Sequence, residues 1–320
     1  MSKQTEIVSD LVSTIIPVYN RPEMIVECVD SVLNQTYRPI EIIIVDDGSN
    51  DNTPIILKQL AEQHSEIQIL HQENAGPGAA RERGRLAAKG EYIQYLDSDD
   101  FLLKDKFLLQ VNALNQNQTA DVAYGKTDRR KISSESEMKA WKQSGVKTLT
   151  MFPSFLRSRW WGTSTPLYRR SITDRAGSWL SIINEEDWEY DCRIASLGGK
   201  LVYVDQFVSV QHVHNDHLSS SGNVDPVKLG DRCTAREHIY ESALKSSVKI
   251  PIEDMGFFSK SVFLLARDCA ALNMDNAVKR LLALAIKARG KTTIKQVGFT
   301  IIGALFGWPV AAKVAKVFEK

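Results

Sequence analysis

The sequence predicts an α/β fold, a mainly parallel β-sheet flanked by helices, followed by an all-helical C-terminal appendage. Two observations carry this. Short apolar runs rich in β-branched residues alternate with helical patterns over the first hundred residues, and beyond about residue 225 the strand-like runs stop while amphipathic helical patterns continue.

The first half justifies this element by element. "VSTIIPVY" (Val12–Tyr19), "IEIIIVD" (Ile40–Asp46), "IQIL" (Ile67–Leu70) and "EYIQYL" (Glu91–Leu96) read as buried strands. Between them, "RPEMIVECVDSVLNQ", "DNTPIILKQLAEQH" and "GPGAARERGRLAAKG" have helical spacing, each opened by a proline in the first turn or an Asp or Asn cap. Strand, helix, strand at this spacing builds right-handed βαβ units, whose ligands bind beyond the carboxyl ends of the strands. Asp46-Asp47 and Asp97, Asp99 and Asp100 all fall at such ends, so two acidic clusters are expected to share one crevice.

Lys126 to about Thr150 is polar and reads as a mobile excursion, after which "EEDWEYDCRIASLGG" is a helix ended by a glycine pair. "DRCTAREHIYESALK", "MGFFSKSVFLLARDCAALNM" and "DNAVKRLLALAIKARG" follow as helices without strands between them. The expected division is an α/β domain over residues 1–225 and a helical region over 226–320.

Composition excludes several classes of function. A formal net charge of +1 over 320 residues carries no electrostatic footprint for nucleic acid. The N-terminus lacks a signal-peptide pattern and no run of 18 apolar residues occurs, so a cytoplasmic location is expected. Cys28, Cys192, Cys233 and Cys269 are far apart and form no CxxC pair, which disfavours a structural zinc site or a disulfide framework. The first strand leads into "PVYNRPE" rather than a glycine-rich phosphate loop, so a redox dinucleotide and a Walker-type nucleotide are both disfavoured.

What remains at the sheet edge is a carboxylate cluster without a phosphate cradle, and a phosphate bound there needs a metal to bridge it. Asp97 and Asp99 are two residues apart and face one way on extended backbone, an arrangement suited to Mg²⁺ or Mn²⁺ with substrate phosphate completing the shell. The other reading of the cluster is a helix cap ahead of "FLLKDKFLL", a role expected of Asp100.

Five segments in order, "STIIPVYNRPEMIVECVDSVLNQTY", "IEIIIVDDGSNDNT", "ENAGPGAARERG", "GEYIQYLDSDD" and "NEEDWEYDCRIASLGG", resemble the successive motifs of the inverting glycosyltransferases of family 2, which have the GT-A fold with its mixed, mainly parallel sheet. The resemblance runs from about Leu11 to Ser219 and leaves out the C-terminal third. It implies transfer of a sugar from a nucleoside-diphosphate sugar, with UDP favoured, to an acceptor hydroxyl. It also implies roles: Pro17 and Tyr19 beside the base, Asp47 accepting from it, Asp46 as a ribose contact or a turn-former, Arg81 on the nucleotide, Asp97 near ribose or metal, and Asp99 on the metal. Asp187 of the Glu186-Asp187 pair is the implied general base, with Glu186 in the sugar and acceptor pocket and Asp191 a competitor one turn later. The family's histidine metal ligand falls on His214, while His212 stands where the family often has arginine. Trp161 of "RWWGTSTPLYRR" is the residue expected to stack on a sugar.

From Lys279 onward, Lys and Arg far outnumber the single acid Glu319, with Phe299, Ile301, Leu305, Phe306 and Trp308 interleaved. That pattern predicts a peripheral contact with a membrane surface, which suits a carbohydrate or lipid-linked acceptor in cell-surface polysaccharide assembly. The alternatives are a non-catalytic nucleotide- or glycan-binding scaffold and a sugar-1-phosphate nucleotidyltransferase, the latter disfavoured by the missing glycine-rich loop.

Overall fold

β-Branched runs assemble where the sequence places them. In the computed structural model, which describes residues 6–131, 137–213 and 225–317, β1 (Val8–Val18), β2 (Ile40–Asp46), β3 (Ile67–His71) and β4 (Gly90–Tyr95) pair in parallel, linked by α1 (Met24–Leu33), α2 (Thr53–Gln63) and α3 (Gly76–Ala87). Then come β5 (Asp100–Leu102), α4 (Lys106–Gln116), β6 (Val122–Arg130), β7 (Leu167–Arg169), α5 (Arg170–Ala176), α6 (Glu186–Ser196) and β8 (Leu201–His212). Among the described residues the sheet has eight strands in the order β3-β2-β1-β4-β7-β6-β8-β5, with β7 antiparallel to both β4 and β6, and β5 antiparallel to β8. A mixed, mainly parallel sheet results.

The chain forms two compact units. The first holds residues 1–151, 159–182 and 197–215, and therefore the whole sheet; the second holds residues 152–158, 183–196 and 216–320. The core of the first unit is built on Val12, Ile16, Ile42, Ile44 and Tyr92 of the sheet and Val29 and Val32 of α1, all fully buried. The second unit contains α6 together with α7 (Pro226–Lys245), α8 (Ile252–Ala271), α9 (Asp275–Arg289), α10 (Ile294–Phe306) and α11 (Trp308–Val317). Helix α6 thus groups with the C-terminal helices, although it lies within the first 225 residues.

Two local expectations are corrected. The segment from Lys126 is not an excursion at its start, because β6 runs on to Arg130 in register with β8; residues 132–136 lie outside the described residues. Asp100 caps no helix, since the backbone remains extended there as β5 and α4 starts only at Lys106. Cys233 and Cys269, far apart in sequence, have Sγ atoms 3.6 Å from each other between α7 and α8, both as buried free thiols. Helix periodicity brings together residues whose sequence separation says nothing about distance.

Glycine decides how closely α3 approaches its neighbour. A Cβ on Gly78 would lie 1.9 Å from the carbonyl oxygen of Leu180. A backbone atom cannot rotate out of the way, so Gly78→Ala is expected to destabilise the protein by about 1–3 kcal/mol, at the upper end of that range. A urea-unfolding midpoint that does not move would show that the approach of these segments is looser than this.

Candidate active site

The strand order puts the carboxyl ends of β1, β2 and β4 side by side, with Val18 opposite Asp46 and Ile15 opposite Tyr95. The first unit thereby collects Tyr19, Asp46, Asp47, Asp97 and Asp99 on one edge, as the βαβ reading requires. The loops after β1 and β2 are tied to each other: Asp47 N donates to the Val18 carbonyl (2.9 Å), Asn20 N to Ser49 Oγ (2.9 Å) and Asn50 N to Asn20 Oδ1 (3.0 Å). Tyr19 stands out from this scaffold at 41% exposure, which leaves a ring face available for a flat ligand. Pro17 instead is buried inside β1, in register with Val45, and orients the loop from within.

The two aspartates after β2 are both buried and do different work. Asp46 accepts from Ser49 N at 3.0 Å and meets the half-exposed ring of His71, Nδ1 to Oδ2, at 3.1 Å. Asp47 accepts at Oδ1 from Gln72 Nε2 (2.7 Å) and Ala75 N (2.9 Å), and at Oδ2 from Gly76 N (2.9 Å). Helix α3 has no cap of its own, because Ala75 at the N-cap offers no side-chain acceptor. Asp47 therefore caps it from another loop, and one lone pair of Oδ2 is left for a ligand.

Arg81 projects from α3 to the end of β4. Its Nη2 donates to Asp97 Oδ1 at 2.6 Å, a charge-assisted bond, and its guanidinium lies 5.0 Å from the ring centroid of Trp179. Trp179 in turn sets its edge against Tyr95 at 4.8 Å and donates its backbone N–H to Glu82. Sequence reading missed Trp179 and His71. Neither falls in a motif, and Trp179 stands nearly a hundred residues from its partner.

Asp97 and Asp99 are partly exposed and Asp100 is buried. Burial, and then the charges of Asp99 and Asp97, push the Asp100 carboxyl well above its usual range, although Ser164 Oγ and His212 N both donate to it (3.1 and 3.2 Å). Cys28, buried with its Sγ 3.5 Å from the Asp97 carbonyl, is raised by burial and by the same three carboxylates. The cluster thus gathers hard oxygen donors at one strand end, and that donor chemistry fits Mg²⁺ or Mn²⁺. Among the described residues no three His, Cys, Asp or Glu side chains converge to hold an ion. His214 lies outside the described residues. His212 is buried in β8 with its ring 4.8 Å from Phe101, a packing position.

The expectation for Trp161 is corrected. It is fully buried, 4.9 Å from Tyr124, and a ring with no accessible face cannot lie on a sugar; Trp160 is the partly exposed member of the pair.

The second unit carries Glu186 and Asp187 at the start of α6. Glu186 is buried; Asp187 is partly exposed and its Oδ1 accepts from Trp188 N at 2.6 Å. Asp191 is fully buried, which removes it as a competitor for a proton from solution-borne hydroxyls. Just before the pair, Glu185 adopts a left-handed backbone (φ 65°), an uncommon state for a residue with a Cβ. Its Oε1 accepts from Arg232 Nε and Arg236 Nη2, both at 3.0 Å, and Arg236 lies 4.0 Å from the ring centroid of Trp188. Trp188 Nε1 closes the arrangement on the Phe155 carbonyl at 2.7 Å. Helix α7 thus clamps the turn that starts α6, and the C-terminal helices take part in holding the carboxylate pair.

Comparison with known proteins agrees with this architecture. The family model described as Glycosyl transferase family 2 matches residues 13–173. The chain is similar to the glycosyltransferase GlyG of Streptococcus pneumoniae (44% identical over 118 residues, 37% of this chain and 39% of that protein). It is also similar to the uncharacterized glycosyltransferase EpsJ of Bacillus subtilis (40% over 124 residues, 38% and 36%). The match therefore spans well under half the length of these curated relatives. Among solved structures, S. aureus TarS 1-349 in complex with UDP-GlcNAc superposes with a TM-score of 0.73 at 16% identity, covering 96% of this chain and 91% of that one. The mannosyltransferase PcManGT of Pyrobaculum calidifontis, in complex with GDP-Man and Mn²⁺, superposes at 0.56 with 18% identity over 100% and 92%. At these identities the likeness establishes the GT-A fold.

Proposed function

The chain belongs to glycosyl transferase family 2, and from that premise we propose that it transfers a sugar from a nucleoside-diphosphate sugar, UDP-linked in the favoured case, to an acceptor hydroxyl with inversion. The observation that carries this reading is the convergence of Tyr19, Asp46, Asp47, Arg81, Asp97 and Asp99 at adjacent strand ends of one sheet. Tyr19 offers a ring to the base, and Asp47 an acceptor lone pair. Asp46 contacts the ribose or shapes the turn, Arg81 contacts the nucleotide, and Asp97 lies near the ribose or the metal. Asp99, with His214 as a further ligand, would hold Mn²⁺ or Mg²⁺, which when bound offsets the charge growing on the departing diphosphate. Asp187 takes the proton of the acceptor hydroxyl as its oxygen bonds to the anomeric carbon and the bond to the diphosphate breaks. Glu186 supports the acceptor side.

In this reading residues 1–225 carry the nucleotide-sugar chemistry and residues 226–320 form the helical region. The acceptor is a carbohydrate or a lipid-linked carbohydrate, and the work is done in the cytoplasm at the inner membrane face, in cell-surface polysaccharide assembly. No described helix is long and apolar enough to cross a membrane, which is compatible with such a peripheral place.

Calorimetric titration of UDP, GDP and dTDP, with and without Mn²⁺, tests the donor side. One nucleotide is expected to bind, to require the metal, and to lose affinity by about ten-fold or more in Asp99→Asn, the loss typical of a charge-assisted contact. Absence of binding by all three in both conditions would end the proposal.

A further inference from the structure

Helix α10 is inverted relative to a soluble surface helix. Its inner face, Gln296, Phe299 and Gly303, is buried: Phe299 meets Phe263 edge-on at 5.4 Å and lies 5.7 Å from Trp308, and Gly303 leaves room for the same indole. The opposite face should then be polar. Instead it presents Ile294, Val297, Ile301 and Leu305, spaced at one helical stripe, with Ile294 at 92% and Leu305 at 70% exposure. No charged residue occurs between Lys295 and Lys313, and no Asp or Glu between Asp275 and Glu319. Exposed lysines, Lys291 and Lys295 before the stripe and Lys313 and Lys316 beyond it, bracket the apolar surface. With 13 residues the helix is about 20 Å long, too short to span a hydrocarbon core of about 30 Å.

A groove of about 430 Å³ adjoins the start of this helix, between the first turns of α8 and the α9–α10 turn. Ile252 and Phe257 give it apolar walls; Lys260, Arg289 and Lys291 outnumber its one acid, Glu253. The Nε of Arg289 is buried there without a hydrogen-bond partner. Three cations beside exposed apolar side chains are matched to an anionic headgroup at the root of its acyl chains.

We propose that this face of the second unit docks on an anionic phospholipid surface, with α10 lying in the interface and a headgroup phosphate held in the groove by Lys260, Arg289 and Lys291. Apolar burial and attraction to anionic lipid act together in such helices. Charge selects the lipid over a second copy of the chain, because self-association would bring the same lysines face to face with Glu253 as the one groove acid to offset them. The inference rests on and deepens the peripheral membrane place proposed above, and does not depend on sugar transfer.

Co-sedimentation of the full chain with vesicles tests it, using phosphatidylcholine alone and phosphatidylcholine mixed with phosphatidylglycerol. The protein is expected to sediment with the mixed vesicles and remain in solution with neutral ones. Removing one lysine, as in Lys291→Gln or Lys313→Gln, is expected to weaken binding about five-fold, and Leu305→Glu to weaken it at least as much. All these side chains are exposed, so the variants retain the fold. Equal sedimentation with neutral vesicles, or none with either, would overturn the proposal. So would release of the protein from the mixed vesicles by inorganic phosphate at matched ionic strength, which would make the groove a site for free phosphate, or a concentration-dependent dimer abolished by Leu305→Glu, which would assign the face to a second copy. UDP binding measured on the same samples separates the two readings: failure there touches the transferase proposal alone.

Discussion

Asp187→Asn is expected to lower sugar transfer by about 10²–10⁴-fold, the contribution of a positioned general base, while nucleotide affinity and stability stay near wild type. Asparagine keeps the shape of the side chain, and its Oδ1 can still accept from Trp188 N, the contact seen for Asp187 at 2.6 Å. What it loses is basicity. Glu186 cannot substitute, because it is buried, and neither can the fully buried Asp191. Initial-rate kinetics with donor and acceptor varied separately measure this. A fall in kcat with the donor KM unchanged is the expected pattern, since the substitution removes an interaction made in the transition state. Unchanged turnover would mean that the proton goes elsewhere, and the start of α6 would then be only a helix terminus with favourable charge.

Asp47→Ala is expected to have the largest effect on stability, on the order of 3 kcal/mol. The substitution removes one carboxylate and strands three donors at once, Gln72 Nε2, Ala75 N and Gly76 N, in a position where Asp47 is 4% exposed. Each buried donor left without a partner costs about 1–3 kcal/mol, partly recovered by relaxation and entering water. Helix α3 loses the acceptor at its N-terminus, and Arg81, one turn in, loses its fixed position against Asp97 and Trp179. Urea unfolding should show a lower midpoint, and UDP affinity should fall in the same variant. A midpoint equal to wild type would show that other groups satisfy the helix end. Stability lost with nucleotide affinity intact would restrict Asp47 to capping.

Both predictions concern residues that the sequence singled out, and for Asp47 the structure adds a second role. The family resemblance implied that Asp47 accepts from the base, and its place at a strand end set it in the expected acidic crevice. The bonds to α3 arise from a loop that starts 25 residues later in the chain, and no local pattern announces them.

The sequence by itself determined the parallel βαβ half, because burial on both faces demands unbroken β-branched runs, and these are visible as such. It determined the acidic strand ends for the same reason: charge placed directly after a buried strand has only the sheet edge to occupy. It also determined the basic and apolar character of the last helices, which is compositional. Tertiary structure alone decided which groups face one another. Trp179 against Arg81, Arg232 and Arg236 on Glu185, Trp161 turned inward and Asp100 drawn into β5 all depend on contacts between segments remote in sequence. Periodicity encodes the face a residue takes on its own element, whereas the partner of that face is set by how the elements pack.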